Sequence, residues 1–160
     1  MIRPVTLGDA PAICGIYNHY VKNTVITFEE RPVSIHEMEG RIREITPVFP
    51  WVVWEEAAGI AGYAYIHRWK ERSAYRFSVE DSIYLKKGYE GKGIGKRLLS
   101  TLLEEIKKTD VHAVVAAITI PNDRSIGLHE KFGFVKIARF PEIGYKLDTW
   151  LDVGYWELLL

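Results

Sequence analysis

The sequence predicts an α/β fold of the α+β kind, in which a mixed, largely antiparallel sheet is flanked by about four helices. Three observations lead there. A β-favouring run, Asp81 to Leu85, passes through a glycine-rich turn into a helical stripe that starts at Ile94. Helical stripes and short β-favouring runs follow one another along the chain, and the last two runs have no helix between them, which suits antiparallel closure. The chain has 160 residues and no linker, repeat or low-complexity segment, so a single domain over residues 1–160 is expected, large enough to bury a real core.

Each element has its own local reason. Ile2 to Val5 reads as a first strand. Asp9 is placed to cap a helix, Pro11 suits its first turn, and Ile13, Ile16, Tyr17, Tyr20 and Val21 form its apolar stripe, with Asn18-His19-Tyr20 at its end. Val25 to Phe28 is a short apolar or β-like segment. Ser34-Ile35-His36-Glu37 is a capping box, so a second helix starts at Ser34 and runs to about Ile45, where Pro47 and Pro50 stop it. Trp51 to Trp54 and Ile60 to Trp69 form a hairpin across a turn at Glu55 to Gly59. Ser73 to Leu85 is expected as one long strand.

Ile94, Leu98, Leu102 and Ile106, with Leu99 and Leu103, mark a third helix. His112 to Ile118 is almost continuously apolar, as in a strand covered on both faces. Pro121-Asn122-Asp123 opens a fourth helix and Gly133 closes it. Val135 to Phe140 and Trp150 to Leu160 alternate as two closing strands.

Composition narrows the function. Lys plus Arg and Asp plus Glu both number 21, so there is no basic excess for a nucleic-acid partner. The apolar runs are too short to span a bilayer, and Met1-Ile2-Arg3-Pro4 lacks the apolar core of a secretory leader. Cys14 is the single cysteine. A soluble cytoplasmic protein without a membrane partner is expected. No spacing of His, Cys, Asp and Glu suits a zinc or two-metal site, so no metal is expected.

The glycine-rich turn carries the first chemical signal. Gly88, Gly91, Gly93 and Gly95 let the backbone bend sharply and approach a ligand, and a helix begins inside the turn. Successive N–H groups and a helix N-terminus then converge on one point, which is an anion site by geometry and dipole. A P-loop needs four residues between its first Gly and the Gly-Lys pair, and Gly91 to Gly95 encloses three. A dinucleotide fingerprint needs two residues before its third Gly, and between Gly93 and Gly95 there is one. Lys92, Lys96 and Arg97 surround the turn and favour a phosphate cradle of another kind.

Gly93-Ile94-Gly95, between a strand and a helix, resembles the signature of the GNAT superfamily of N-acetyltransferases: Arg or Gln, two residues, Gly, one residue, Gly or Ala. Glu90 stands where that pattern has Arg or Gln and adds a negative charge near the phosphates. The resemblance implies a GNAT-type fold in which the loop Gly91, Lys92, Gly93, Ile94, Gly95 and Lys96 binds the pyrophosphate of acetyl-CoA through main-chain N–H groups. Asn122 to Phe134 is similar to the last helix motif of the family, which implies that Asn122 touches coenzyme A. Most members have Tyr where His129 stands; His at that place is shared with the phosphinothricin acetyltransferase subfamily. Likeness to that subfamily spans nearly the whole chain, through Asn18-His19-Tyr20, Trp69-Lys70-x-Arg72-x-Ala74-Tyr75, Glu80, Ile120-Pro121-Asn122-Asp123 and Asp152-Val153-Gly154-Tyr155-Trp156.

The implied reaction is direct acetylation of the α-amino group of a small substrate of the phosphinothricin, methionine sulfoximine or methionine sulfone type. An ammonium ion has no lone pair, so a base must take a proton before nitrogen attacks the thioester. Glu80 is the expected base, directly or through water; Asp81 lies on the opposite face of a regular strand, and a bulge would exchange the two. Main-chain N–H groups of Ile83, Tyr84 and Leu85 are expected to hold the oxyanion. His129 is expected to assist near the thioester, by hydrogen bonding or proton transfer.

Lys70, Arg72 and Tyr75 make a site for an anionic head group, with Phe28 and Val153 as the apolar wall that the subfamily implies. The subfamily also implies a homodimer, for which Trp150, Trp156 and Leu158-Leu159-Leu160 offer apolar surface, the other reading of these residues being core. Two other classes stay open: a same-fold acyltransferase acting on another amine, such as a protein N-terminus or a polyamine, and a non-catalytic acetyl-CoA-binding regulatory module.

Overall fold

In a computed structural model that describes residues 1–160, these runs resolve into seven strands and four α-helices. In chain order they are β1 (Ile2–Pro4), α1 (Ala10–Asn23), α2 (Ile35–Ile45), β2 (Trp51–Glu56), β3 (Gly59–Arg68), β4 (Ser78–Leu85), α3 (Ile94–Ile106), β5 (Ala113–Ile120), α4 (Asp123–Lys131), β6 (Val135–Lys146) and β7 (Thr149–Leu159). The strand order is β1-β2-β3-β4-β5-β7-β6. β4 and β5 pair in parallel over Ser78↔Ala113, Val79↔Val114 and Glu80↔Val115. Antiparallel ladders join β1 to β2, β2 to β3, β5 to β7 and β6 to β7, so the sheet is mixed and largely antiparallel as expected. No helix is long and apolar enough to cross a membrane.

The chain divides into two compact units. The first comprises Met1–Asn18, Val33–His67 and Ser82–Asp110. Its core is the apolar stripe of α3, whose Ile94, Leu98, Leu99, Leu102, Leu103 and Ile106 are all buried. Each such side chain contributes about 1.5–3 kcal/mol by leaving water. Gly62 is required by close packing here, because a Cβ at this position would stand 2.6 Å from a Leu85 methyl and 3.1 Å from the Tyr84 carbonyl oxygen. The predicted capping box opens α2: the Ser34 hydroxyl accepts the Glu37 N–H at 3.1 Å, and the Glu37 carboxylate accepts the Ser34 N–H at 2.7 Å.

The second unit comprises His19–Pro32, Arg68–Asp81 and Val111–Leu160. In β5, four consecutive residues, Ala113 to Ala116, are buried, as the continuous apolar run predicted. The 24–30 segment is anchored onto β6. Lys146 is 2% exposed and its ammonium donates to the Thr27 carbonyl at 2.6 Å, and the Phe28 ring lies where a Cβ on Gly144 would come within 2.3 Å.

Several local expectations are corrected. Asp9 is not a helix cap: it ends a 3₁₀ turn, Leu7–Asp9, that precedes α1, and its carboxylate accepts the Thr6 N–H and hydroxyl at 2.7 and 2.9 Å while pairing with Arg3 at 2.8 Å. Helix α1 does not stop at Asn18-His19-Tyr20. The Asn18 amide turns off the helix and bonds the Val33 main chain twice, both at 2.8 Å, and the helix continues to Asn23. Val25 to Phe28 is loop rather than strand, because its partners on β6 are the Lys146 ammonium and Gly144 instead of a ladder. The strand expected from Ser73 begins at Ser78. Local bonds from Tyr75 N–H to Arg72 O (3.0 Å) and Arg76 N–H to Ser73 O (3.1 Å) wind the preceding residues into a 3₁₀ turn. β6 extends to Lys146 with a register break between Phe140 and Gly144, where the Glu142 N–H donates to Asp152 at 2.8 Å.

Candidate active site

In the first unit, β4 runs into the turn that the sequence singled out. The Tyr89 N–H closes onto Lys86 O at 3.0 Å, and the Gly88 N–H onto the Glu90 carboxylate at 2.8 Å. Gly88, Gly91 and Gly93 have φ of 87°, 76° and 79°, the left-handed region that a side chain disfavours. Gly93 is the cap of α3, and Arg97 makes the first helical bond, from its N–H to Gly93 O at 3.2 Å. The N–H groups from Gly91 to Lys96 have no acceptor in the protein. Lys92, Lys96 and Arg97 are exposed around them without a carboxylate partner; Lys92 sits 4.5 Å over the Tyr89 ring, and Arg97 5.6 Å over that of Trp54. Unsatisfied donors, a helix N-terminus and three cations fit a phosphate or diphosphate. Glu90 is occupied as an acceptor for the turn itself. Ile83, Tyr84 and Leu85 are half-buried, with the Tyr84 ring edge-on to Tyr17 at 5.2 Å.

The second unit holds the residues expected to do the chemistry. Val79 and Asp81 point into the interior and are 0% and 7% exposed, while Glu80, between them, is half-buried on the other face of β4. Glu80 lies in register with Val115 and raises the pKa of the Tyr155 hydroxyl, after the larger effect of that phenol's burial. His129, on α4, is 4% exposed. Its Nδ1 stands 2.7 Å from the Ser125 carbonyl oxygen and its Nε2 3.0 Å from Asp81 Oδ2, and its ring meets the edge of Phe134 at 5.0 Å. Burial pushes the imidazole pKa down, but the Asp81 carboxylate and then the Ser125 carbonyl outweigh it, so the net shift is upward. Glu80 and His129 do not meet; the partner of His129 is Asp81.

Asn122 caps α4, its side-chain oxygen accepting the Ser125 N–H at 3.2 Å. Lys70, Arg72 and Tyr75 are exposed around the 3₁₀ turn. Lys70 sits 5.1 Å over the Trp69 ring, which meets Tyr75 edge-on at 5.3 Å. None of these three side chains makes an ion pair or a side-chain hydrogen bond, so their polar heads are open to a ligand. Val153 is buried opposite Phe140, and Phe28 is 41% exposed. Sequence reasoning missed Asp81 as a partner of His129, because parity along a strand does not say which face meets a helix 48 residues away. It also missed Lys146 as an anchor, since a lysine in an alternating strand reads as solvent-facing.

The acetyltransferase (GNAT) family model matches residues 14–134. A phosphinothricin N-acetyltransferase from Streptomyces viridochromogenes is 35% identical over 156 residues, covering 98% of this chain and 85% of that protein. An L-methionine sulfoximine/L-methionine sulfone acetyltransferase from Salmonella typhimurium is 35% identical over 161 residues, covering 99% and 94%. Among solved structures, a phosphinothricin acetyltransferase from Sinorhizobium meliloti in complex with AcCoA superposes with a TM-score of 0.96 at 38% identity, covering 100% of this chain and 88% of that one.

Proposed function

The chain belongs to the acetyltransferase (GNAT) family, and from that premise we propose that residues 1–160 act as one catalytic domain in the cytoplasm. It transfers the acetyl group of acetyl-CoA directly to the α-amino group of a small amino-acid-like substrate, of the phosphinothricin, methionine sulfoximine or methionine sulfone type. The observation that carries this reading is the run of six unpartnered amides from Gly91 to Lys96 at the N-terminus of α3. They suit the diphosphate of acetyl-CoA, with Lys92 and Lys96 adding charge and Asn122 a further contact. Acetyl-CoA supplies an acyl group activated as a thioester.

The chain's own residues do the rest. Glu80 takes the proton from the substrate ammonium, directly or through a water, and so exposes the nitrogen lone pair. Main-chain groups of Ile83, Tyr84 and Leu85 align the acyl carbonyl and meet the negative charge that develops on its oxygen. His129 assists near the thioester. Lys70, Arg72 and Tyr75 bind the anionic end of the substrate, with Phe28 and Val153 as apolar wall.

The protein works as a homodimer. β6 is last in the strand order and exposes Val135, Ile137, Phe140, Ile143 and Tyr145, and Trp150 on β7 is 62% exposed. Trp156 takes no part in such a contact: it is 1% exposed, with its indole N–H on Glu130 at 3.1 Å.

The test is thiol release from acetyl-CoA against a panel of free amino acids, polyamines and short peptides. Phosphinothricin or a methionine sulfoximine analogue should be acetylated, and Glu80→Gln should lower kcat by about 100-fold or more, with little change in acetyl-CoA affinity. Acetylation confined to peptides or polyamines would redirect the reading to another amine, and binding without turnover on any acceptor would make the protein a cofactor-binding module.

A further inference from the structure

We infer that Asp81 is a positioning residue that keeps His129 doubly protonated, so that His129 serves the acetyl transfer as a fixed imidazolium and never as a base. The geometry carries this. The Ser125 carbonyl can only accept, and it stands 2.7 Å from Nδ1. The Asp81 carboxylate stands 3.0 Å from Nε2 and accepts there. With the Asp81 carboxylate ionised, a ring set between these two acceptors carries a proton on each nitrogen. The groups that face the ring are Asp81 from β4, Ser125 from its own helix and the uncharged edge of Phe134. Asp81 is thus the one charged partner, and at 7% and 4% exposure the pair is largely withdrawn from bulk water.

The consequence deepens the acetyltransferase reading and rests on it. His129 has no lone pair to offer the substrate ammonium, which leaves Glu80, on the other face of the same strand, as the group that takes the amine proton. The Asp81–His129 pair instead fixes the ring and ties α4, with Asn122 at its cap, to β4. The second Asp81 oxygen, Oδ1, makes no hydrogen bond to the protein and is the one polar atom of the pair left to a water or a substrate group.

The experiment is nitrogen NMR of protein labelled at its five histidines, with the His129 signals assigned by their loss in His129→Asn. In the wild type, His129 should still hold both ring protons at a pH where an ordinary histidine, titrating near 6.5, has lost one. In Asp81→Asn it should lose a ring proton at lower pH than in the wild type, and kcat should fall by about 10-fold or more while KM for acetyl-CoA stays within about twofold. Loss of either ring proton in the wild type at or below the pH where an ordinary histidine titrates overturns the inference, and that measurement stands even where Asp81→Asn fails to fold. A neutral His129 in Asp81→Asn with unchanged kcat overturns the positioning role. The spectra need no acetyl-CoA. A wild type that releases no thiol but keeps both ring protons therefore sinks the acetyltransferase reading and leaves the ion pair in place.

Discussion

From Gly91 to Lys96, six main-chain amides donate to no acceptor in the protein, whereas at His129 both ring nitrogens stand within hydrogen-bond distance of a neighbour's oxygen. The first region is exposed and built from backbone; left-handed glycines set its shape, and no heavy atom lies within 4 Å of where a Cβ on Gly91 or Gly93 would be. The second is buried and built from side chains whose positions depend on packing. The difference teaches where each should fail. A change in the turn should act on ligand binding and hardly on the core, and a change at the pair should act on the core first.

The largest effect should come from His129→Leu, which leaves the Asp81 carboxylate buried without a counter-charge. About 3–5 kcal/mol of stability should be lost in urea unfolding, with most of it recovered in the Asp81→Leu, His129→Leu double variant. A loss below about 1 kcal/mol would erase the contrast, because the pair would then behave like an exposed contact.

Gly93→Ala is intermediate. A Cβ meets nothing, yet φ of 79° is costly for an L side chain, so about 1–2 kcal/mol should be lost, together with acetyl-CoA affinity measured by calorimetry. Unchanged affinity would show that the turn does not hold the cofactor.

Glu90→Gln should be the smallest change in stability, within about 0.5 kcal/mol, since the amide oxygen can still accept the Gly88 N–H. It should nevertheless tighten acetyl-CoA binding at low salt by removing a negative charge beside the phosphates. Equal affinity at all ionic strengths would mean that Glu90 is turned too far away to be felt.

Much of this was legible in the chain itself. The α3 stripe, the Ser34–Glu37 capping box, the apolar β5 run and the Gly91–Lys96 loop all came from local patterns, and each depends on residues within a few positions of one another. The errors share a cause too. Asn18, the 25–28 segment and the start of β4 went where contacts distant in sequence, or local turn bonds stronger than the strand preference, sent them.

The order of elements, the glycine-rich turn and the family to which the chain belongs are determined by the sequence alone, because spacing, glycine placement and apolar period act within one or two turns of backbone. The pairing of His129 with Asp81 rather than Glu80, the anchoring of Phe28 on Gly144 and the burial of Lys146 were decided by the tertiary structure. Neighbouring side chains on a strand differ only in the face they present, and which face is dry depends on what the rest of the chain packs against it.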